Sequence, residues 1–253
     1  VSCTNFKITS DVTTLVYEFK DCSALTSFSF SDESDFSNLT DLGGMFQKDN
    51  SLVTLDLSNV VCTSKLVSIN DLCASCKGLT TLYLPSNLQD SSITEISGVA
   101  IDCIKLRTLY NLYLPDGFVQ FGRFAFGWVG SIGPDNAINV IGFRVPNTAN
   151  PATIFANKVY EMFKSFSNVI WPETTTSIAG MFQGLIHLTH DLEIPSHITN
   201  CTNAFKGCTG MTHVHSNWNN SYTNGITSTD CYAGCTGITH IDNENVITFE
   251  GKE

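Results

Sequence analysis

"FKGCTGMTHV" (205–214) and "YAGCTGITHI" (232–241) are nearly one phrase, written twice 27 residues apart. Self-similarity at a fixed period of about 20–50 residues marks an array of stacked supersecondary units. With Cys208 and Cys235 as anchors, equivalents fall at Cys22, Asp49, Cys76 and Cys103, each 27 residues from the next. A second series runs Phe166, Leu185, Cys208 and Cys235, at steps of 19, 23 and 27.

The columns around the anchor have distinct physical characters. Three residues after it stand Leu25, Leu52, Leu79, Leu106, Val169, Leu188, Met211 and Ile238. Six after it stand Phe28, Leu55, Leu82, Leu109, Val214 and Ile241, and eight after it Phe30, Leu57 and Leu84. The last two columns are two apart, the alternation of a short strand with one buried face. Before the anchor, Leu39, Leu42, Met45 and Phe46 follow a three-and-four spacing, as do Leu66, Ile69, Leu72 and Cys73. That spacing predicts one face of a short helical turn. Each unit therefore has two apolar faces it cannot bury alone, so the units must stack.

The pattern Met/Leu-Phe-x-x-Cys-x-x-Leu-x-x-Leu-x-Leu, best carried by "MFQKDNSLVTLDLSN" (45–59) and "AFKGCTGMTHV" (204–214), resembles the BspA-type leucine-rich repeat of bacterial and protist surface proteins. With the periodicity, it leads to an α/β repeat fold: a leucine-rich-repeat solenoid with a short strand plus a short helical turn in each of eight to nine irregular repeats. One solenoid is expected over 1–253: an N-terminal cap at 1–20, regular repeats at 12–115, an irregular segment at 116–158, a second series at 159–245 and a tail at 246–253. The resemblance implies surface adhesion or recognition, and it brings no catalytic residues.

Ten cysteines invite a disulfide framework, yet eight sit in repeat columns: the anchors Cys22, Cys76, Cys103, Cys208 and Cys235, and the apolar positions Cys73, Cys201 and Cys231. They are expected to pack as small hydrophobes. Isolated disulfides between stacked anchors are the rival reading, because strand spacing of about 4.8 Å lies within bridging range. A zinc site at Cys73-x-x-Cys76 lacks a second ligand pair in the sequence. Only Cys3 and Cys62 lack a column.

The column five after the anchor points outward. It reads Ser27, Thr54, Thr81 and Thr108 early, then His190, His213 and His240, with His215 two positions beyond His213. Together with Trp218 and Tyr222 in the polar insertion "HSNWNNSYTNG" (215–225), these His residues are the candidate ligand-binding residues. Stacked imidazoles could share a divalent metal or respond to pH, or the phrase is simply duplicated text; no metal or other cofactor is expected. The aromatics of "GFVQFGRFAFGWVG" (117–130) are expected to plug an irregular coil, with a contact patch as the alternative.

A net charge of −11 disfavours binding to a nucleic acid backbone, which needs Lys and Arg, and no apolar run is long enough for membrane insertion. Without a GxSxG, HExxH or phosphate-loop motif, and with Cys inward and His outward, an enzyme is not expected. The leading expectation is a recognition or adhesion module that binds a protein or glycan through the repeat face. The alternative is a structural subunit of an extracellular assembly, such as a virion fibre or decoration protein, a surface layer or a filament, with homo-oligomerisation through the solenoid ends. Either role places the chain outside the cell, at a cell surface or virion surface.

Overall fold

The computed structural model describes residues 1–122, 124–127, 134–156, 161–214 and 230–241. The chain winds as a β-solenoid in which every strand pair is parallel. Strands β1 (Ser2–Phe6) and β2 (Ser27–Phe30) pair at the N-terminal end. A five-stranded sheet follows in the order β3 (Thr54–Asp56), β4 (Thr81–Tyr83), β6 (Thr108–Tyr113), β8 (Ile138–Arg144) and β9 (Phe163–Ile170). On another side of the coil, β5 (Glu95–Ile96) pairs with β7 (Gln120–Phe121). The ladder resumes with a bridge from His190 to His213 and ends with β10 (His213–Val214) against β11 (His240–Ile241).

The expected α/β unit is corrected to an all-β one. Among the described residues, the only helices are three 3₁₀ turns at Leu88–Asp90, Pro134–Asn136 and Pro151–Thr153. Hydrogen bonding explains why the three-and-four spacing makes no α-helix. Met45, Gln47 and Asp49 donate N–H three residues back, to Leu42, Gly44 and Phe46. The alternate residues Gly44, Phe46 and Lys48 instead donate across to Asn70, Leu72 and Ala74 of the next coil. Gly44 and Lys48 hold φ of 60° and 69°, a left-handed conformation that no continuous α-helix admits. The segment is thus a chain of tight turns whose spare donors tie coil to coil.

Register corrects the second anchor series. Leu109 pairs with Val140, and Val140 with Phe166, so Phe166 occupies the column six after the anchor and is no anchor itself. Val169 moves with it, pairing with Phe143. The step from Thr108 to Asn139 is 31 residues and from Asn139 to Ser165 is 26, so the irregular segment still delivers a strand to the same sheet. Three of its aromatics plug the core: Phe118, Phe121 and Phe126 are buried, and Phe121 meets the Phe155 ring at 5.3 Å, whereas Phe124 is half-buried. Trp128 lies outside the described residues.

Three residues before the anchor, rings stack from coil to coil. Phe19 lies on Phe46 at 5.6 Å; further on, Phe155, Phe182, Phe205 and Tyr232 follow at 5.6, 5.2 and 5.6 Å. Seven of the ten cysteines are buried, and all ten are free thiols. Cys22 is corrected from packed to exposed, because no coil lies beyond the first one among the described residues; Cys235, in the last described coil, is half-buried.

Candidate binding face

The doubled phrase resolves letter by letter. Its first Gly, Gly207 or Gly234, takes φ of 74° or 76°. The anchor thiol donates backward to a carbonyl of the preceding coil: Cys208 to Phe182 at 3.1 Å and Cys235 to Phe205 at 3.0 Å, as Cys76 and Cys103 do to Phe46 and Cys73. The second Gly is forced by close approach, since a Cβ on Gly210 would overlap the Ile186 carbonyl oxygen. Met211 is buried, and the Thr212 hydroxyl donates to the Thr189 carbonyl at 3.2 Å. That hydroxyl ladder recurs from Thr189 to Lys164, Thr80 to Val53 and Thr26 to the Val1 carbonyl. In the histidine column, His190 is exposed and His213 half-buried.

The outward columns form one continuous face. Five after the anchor it carries Thr54, Thr81, Thr108, Asn139, Ser165, His190 and His213; two positions on it carries Asp56, Tyr83, Tyr110, Ile141 and Ser167. Two ring pairs stand on it. Tyr83 and Tyr110 stack with centroids 4.1 Å apart at 6°, and loss of water, then the Tyr110 phenol, raises the Tyr83 hydroxyl above its usual range. His190 and His213 stack at 4.6 Å and 11°. Each imidazole Nδ1 meets the hydroxyl of the preceding Thr, at 3.0 Å for Thr189 and 2.8 Å for Thr212. Because those hydroxyls give their protons to backbone carbonyls, the neutral rings donate from Nδ1 and leave Nε2 as the acceptor. One metal ion held at about 2.1 Å by both rings needs nitrogens that converge to within about 4.2 Å, whereas these rings lie parallel. Among the described residues, no group of three or more metal-ligating side chains could hold an ion.

His240 pairs with His213 in register, which places its backbone in the same column. His215, Trp218 and Tyr222 lie outside the described residues. The sequence reading missed Tyr110, Asn139 and Ser165. Tyr110 was legible, seven after Cys103 as Tyr83 is seven after Cys76, but Asn139 and Ser165 follow only from the 31- and 26-residue steps. The face is rich in hydroxyls, amides and rings, and Asp56 is the only acid in its two columns among the described residues. Its chemistry is hydrogen bonding and ring contact.

The BspA-type leucine-rich repeat family model matches residues 1–132 and 143–252, in six copies. The chain belongs to the BspA-type leucine-rich repeat family. The family model counts six copies, fewer than the expected eight to nine. Repeats of this family are generally interaction scaffolds rather than enzymes, and its members are typically surface-associated. No curated protein and no solved structure matches the chain. No helix among the described residues is long and apolar enough to cross a membrane.

Proposed function

We propose that this BspA-type repeat is a non-enzymatic recognition and adhesion module, displayed outside the cell or on a virion, that binds a protein or glycan through its outward face. The observation that carries this reading is the Tyr83–Tyr110 stack amid Thr, Asn and Ser on a rigid parallel sheet. Stacked Tyr amid small polar residues offers contact area at low entropic cost, with adaptable hydrogen bonding. The His190–His213 pair extends the same face about 14 Å further, three strand spacings from β6.

The test is binding of labelled protein to arrays of glycans and extracellular-matrix proteins, comparing wild type with a Tyr83→Ala/Tyr110→Ala variant of unchanged circular dichroism. A loss of tenfold or more in affinity for whatever the wild type captures is expected. Equal binding by the two proteins would remove the face from the reading. Alanine at His190 and His213 should give a smaller loss.

Assembly is the second reading, favoured by the N-terminal end. In the second coil, the carbonyls of Asp41, Gly43, Met45 and Gln47 accept N–H bonds from the first coil. Their first-coil equivalents, at Thr14, Val16, Glu18 and Lys20, have no coil beyond them among the described residues. A row of acceptors of this kind is what the N–H groups of a further coil pair with, whether of the same chain or of another copy. Sedimentation across a hundredfold range of concentration decides this: a monomer throughout retires assembly, and growing polymers support it.

A further inference from the structure

We infer that Cys208 and Cys235 are a redox pair: small-molecule disulfides oxidise them to an intramolecular disulfide that covalently ties the last described coil to the one before it. They are anchors of adjacent, register-matched coils, since His213 and His240, five residues beyond each, pair directly. Parallel strands about 4.8 Å apart put two such Cα atoms inside the range a disulfide spans. The backbones are close at this point as well: a Cβ on Gly234 would stand 3.7 Å from the Gly207 Cα. Both thiols leave their coils in the same direction, each donating to the carbonyl 26 or 30 residues earlier.

Exposure singles out this pair. Cys76 and Cys103 have the same spacing but are both buried, and Cys22 faces Asp49 where the next anchor thiol would stand. Cys208 is fully buried while Cys235 is half-buried, so one sulfur can meet an oxidant and the other waits behind it. The contact with the Cys208 sulfur lowers the Cys235 pKa, while the same contact and burial raise that of Cys208. A more acidic, reachable thiol beside a resolving one is the arrangement that oxidises selectively.

The step balances with oxidised glutathione. The Cys235 thiolate attacks one sulfur of that disulfide, forming a mixed disulfide and releasing one glutathione thiolate. The Cys208 sulfur attacks the Cys235 sulfur and expels the second glutathione, whose departing sulfur takes the Cys208 proton. Two cysteines are oxidised, and one glutathione disulfide is reduced to two thiols. The bond closes a ring of chain from 208 to 235 that carries His213, His215, Trp218 and Tyr222.

The test treats the full chain, in a Cys3→Ser/Cys22→Ser background that removes the reachable thiols at the other end, with oxidised glutathione, then maps peptic fragments by mass spectrometry without reduction. The expected result is a loss of two thiols, no retained glutathione, a fragment joining Cys208 to Cys235, and full reversal by a reductant. Adding Cys208→Ser, whose hydroxyl can still donate to Phe182, should leave one glutathione trapped on Cys235. Glutathione retained on Cys235 without that substitution, a link from Cys231 to Cys235, or no reaction at Cys235 would each overturn the assignment.

Discussion

Asp49 is the residue at which the anchor column shows its logic. The buried cysteine anchors Cys76, Cys103 and Cys208 donate S–H to a carbonyl of the preceding coil, and the thiol is small enough to do so within the core. Asp49 fills the same place with 0% exposure, and neither carboxylate oxygen has a hydrogen-bond partner. Burial raises its pKa from 3.8 to about 7, and the charge of Asp21 adds to the rise. The folded chain therefore keeps a proton that the unfolded chain releases between about pH 4 and pH 7. Stability should fall as pH rises through that window, by on the order of 4 kcal/mol in total, and level off above it. Urea unfolding at pH 4.5 and pH 8 measures this, and Asp49→Cys, restoring the column's usual donor, should flatten the difference. An unchanged pH slope in the variant would mean that Asp49 titrates normally. Gly210 makes the companion case: Gly210→Ala should cost about 1–3 kcal/mol, as overpacking does, while Gly117→Ala, with open space around it, should cost only about 1–2 kcal/mol of left-handed strain.

Within a single coil, what is buried was legible and how the backbone closes was not. From Leu25 to Val214 the columns at three, six and eight are in the core where the sequence put them, except Val169, and Ile238 in the last described coil is half-buried; the alternation of a strand sets which side goes inward. The turns before the anchor share a helix's apolar spacing but send half their N–H groups to another coil, and spacing alone does not reveal where a donor goes. The ring ladder is the main lateral contact of these turns. Phe182 lies between Phe155 and Phe205, so Phe182→Ala should cost about 3–5 kcal/mol. Thr212→Val, which loses the hydroxyl's bonds with the Thr189 carbonyl and the His213 Nδ1, should cost about 1–2 kcal/mol. Chemical denaturation compares the two, and equal losses would contradict the ladder's weight.

The whole molecule is a line of coils, each touching chiefly its neighbours, so stability should be local. Hydrogen exchange should be slowest through 40–110, where the 27-residue register is unbroken. It should be faster in the last described coil, held by β11 and by the Tyr232 hydroxyl, which donates to the buried Asp191 carboxylate at 2.5 Å. Phe182→Ala should speed exchange across 161–214 and leave 40–110 nearly unchanged. Uniform acceleration would show one cooperative unit instead. The same linear order gives the binding face its form: neighbouring coils set their outward side chains one strand spacing apart, so a ligand meets a row rather than a pocket.

Taken alone, the amino-acid order established that the chain repeats, which side chains go inward, that most cysteines are core residues, and which family it belongs to. Those properties are periodic and local, so they can be read without coordinates. Tertiary structure decided that the units are all-β, that Phe166 sits six places from where an anchor belongs, that Cys22 is exposed, and that Tyr83 and Tyr110 stand ring to ring. Each of these depends on which coil lies beside which, and insertions such as the 31-residue step from Thr108 to Asn139 hide that from a fixed period. Hydrogen bonds between coils set the register; no residue's own neighbours in the chain contain it.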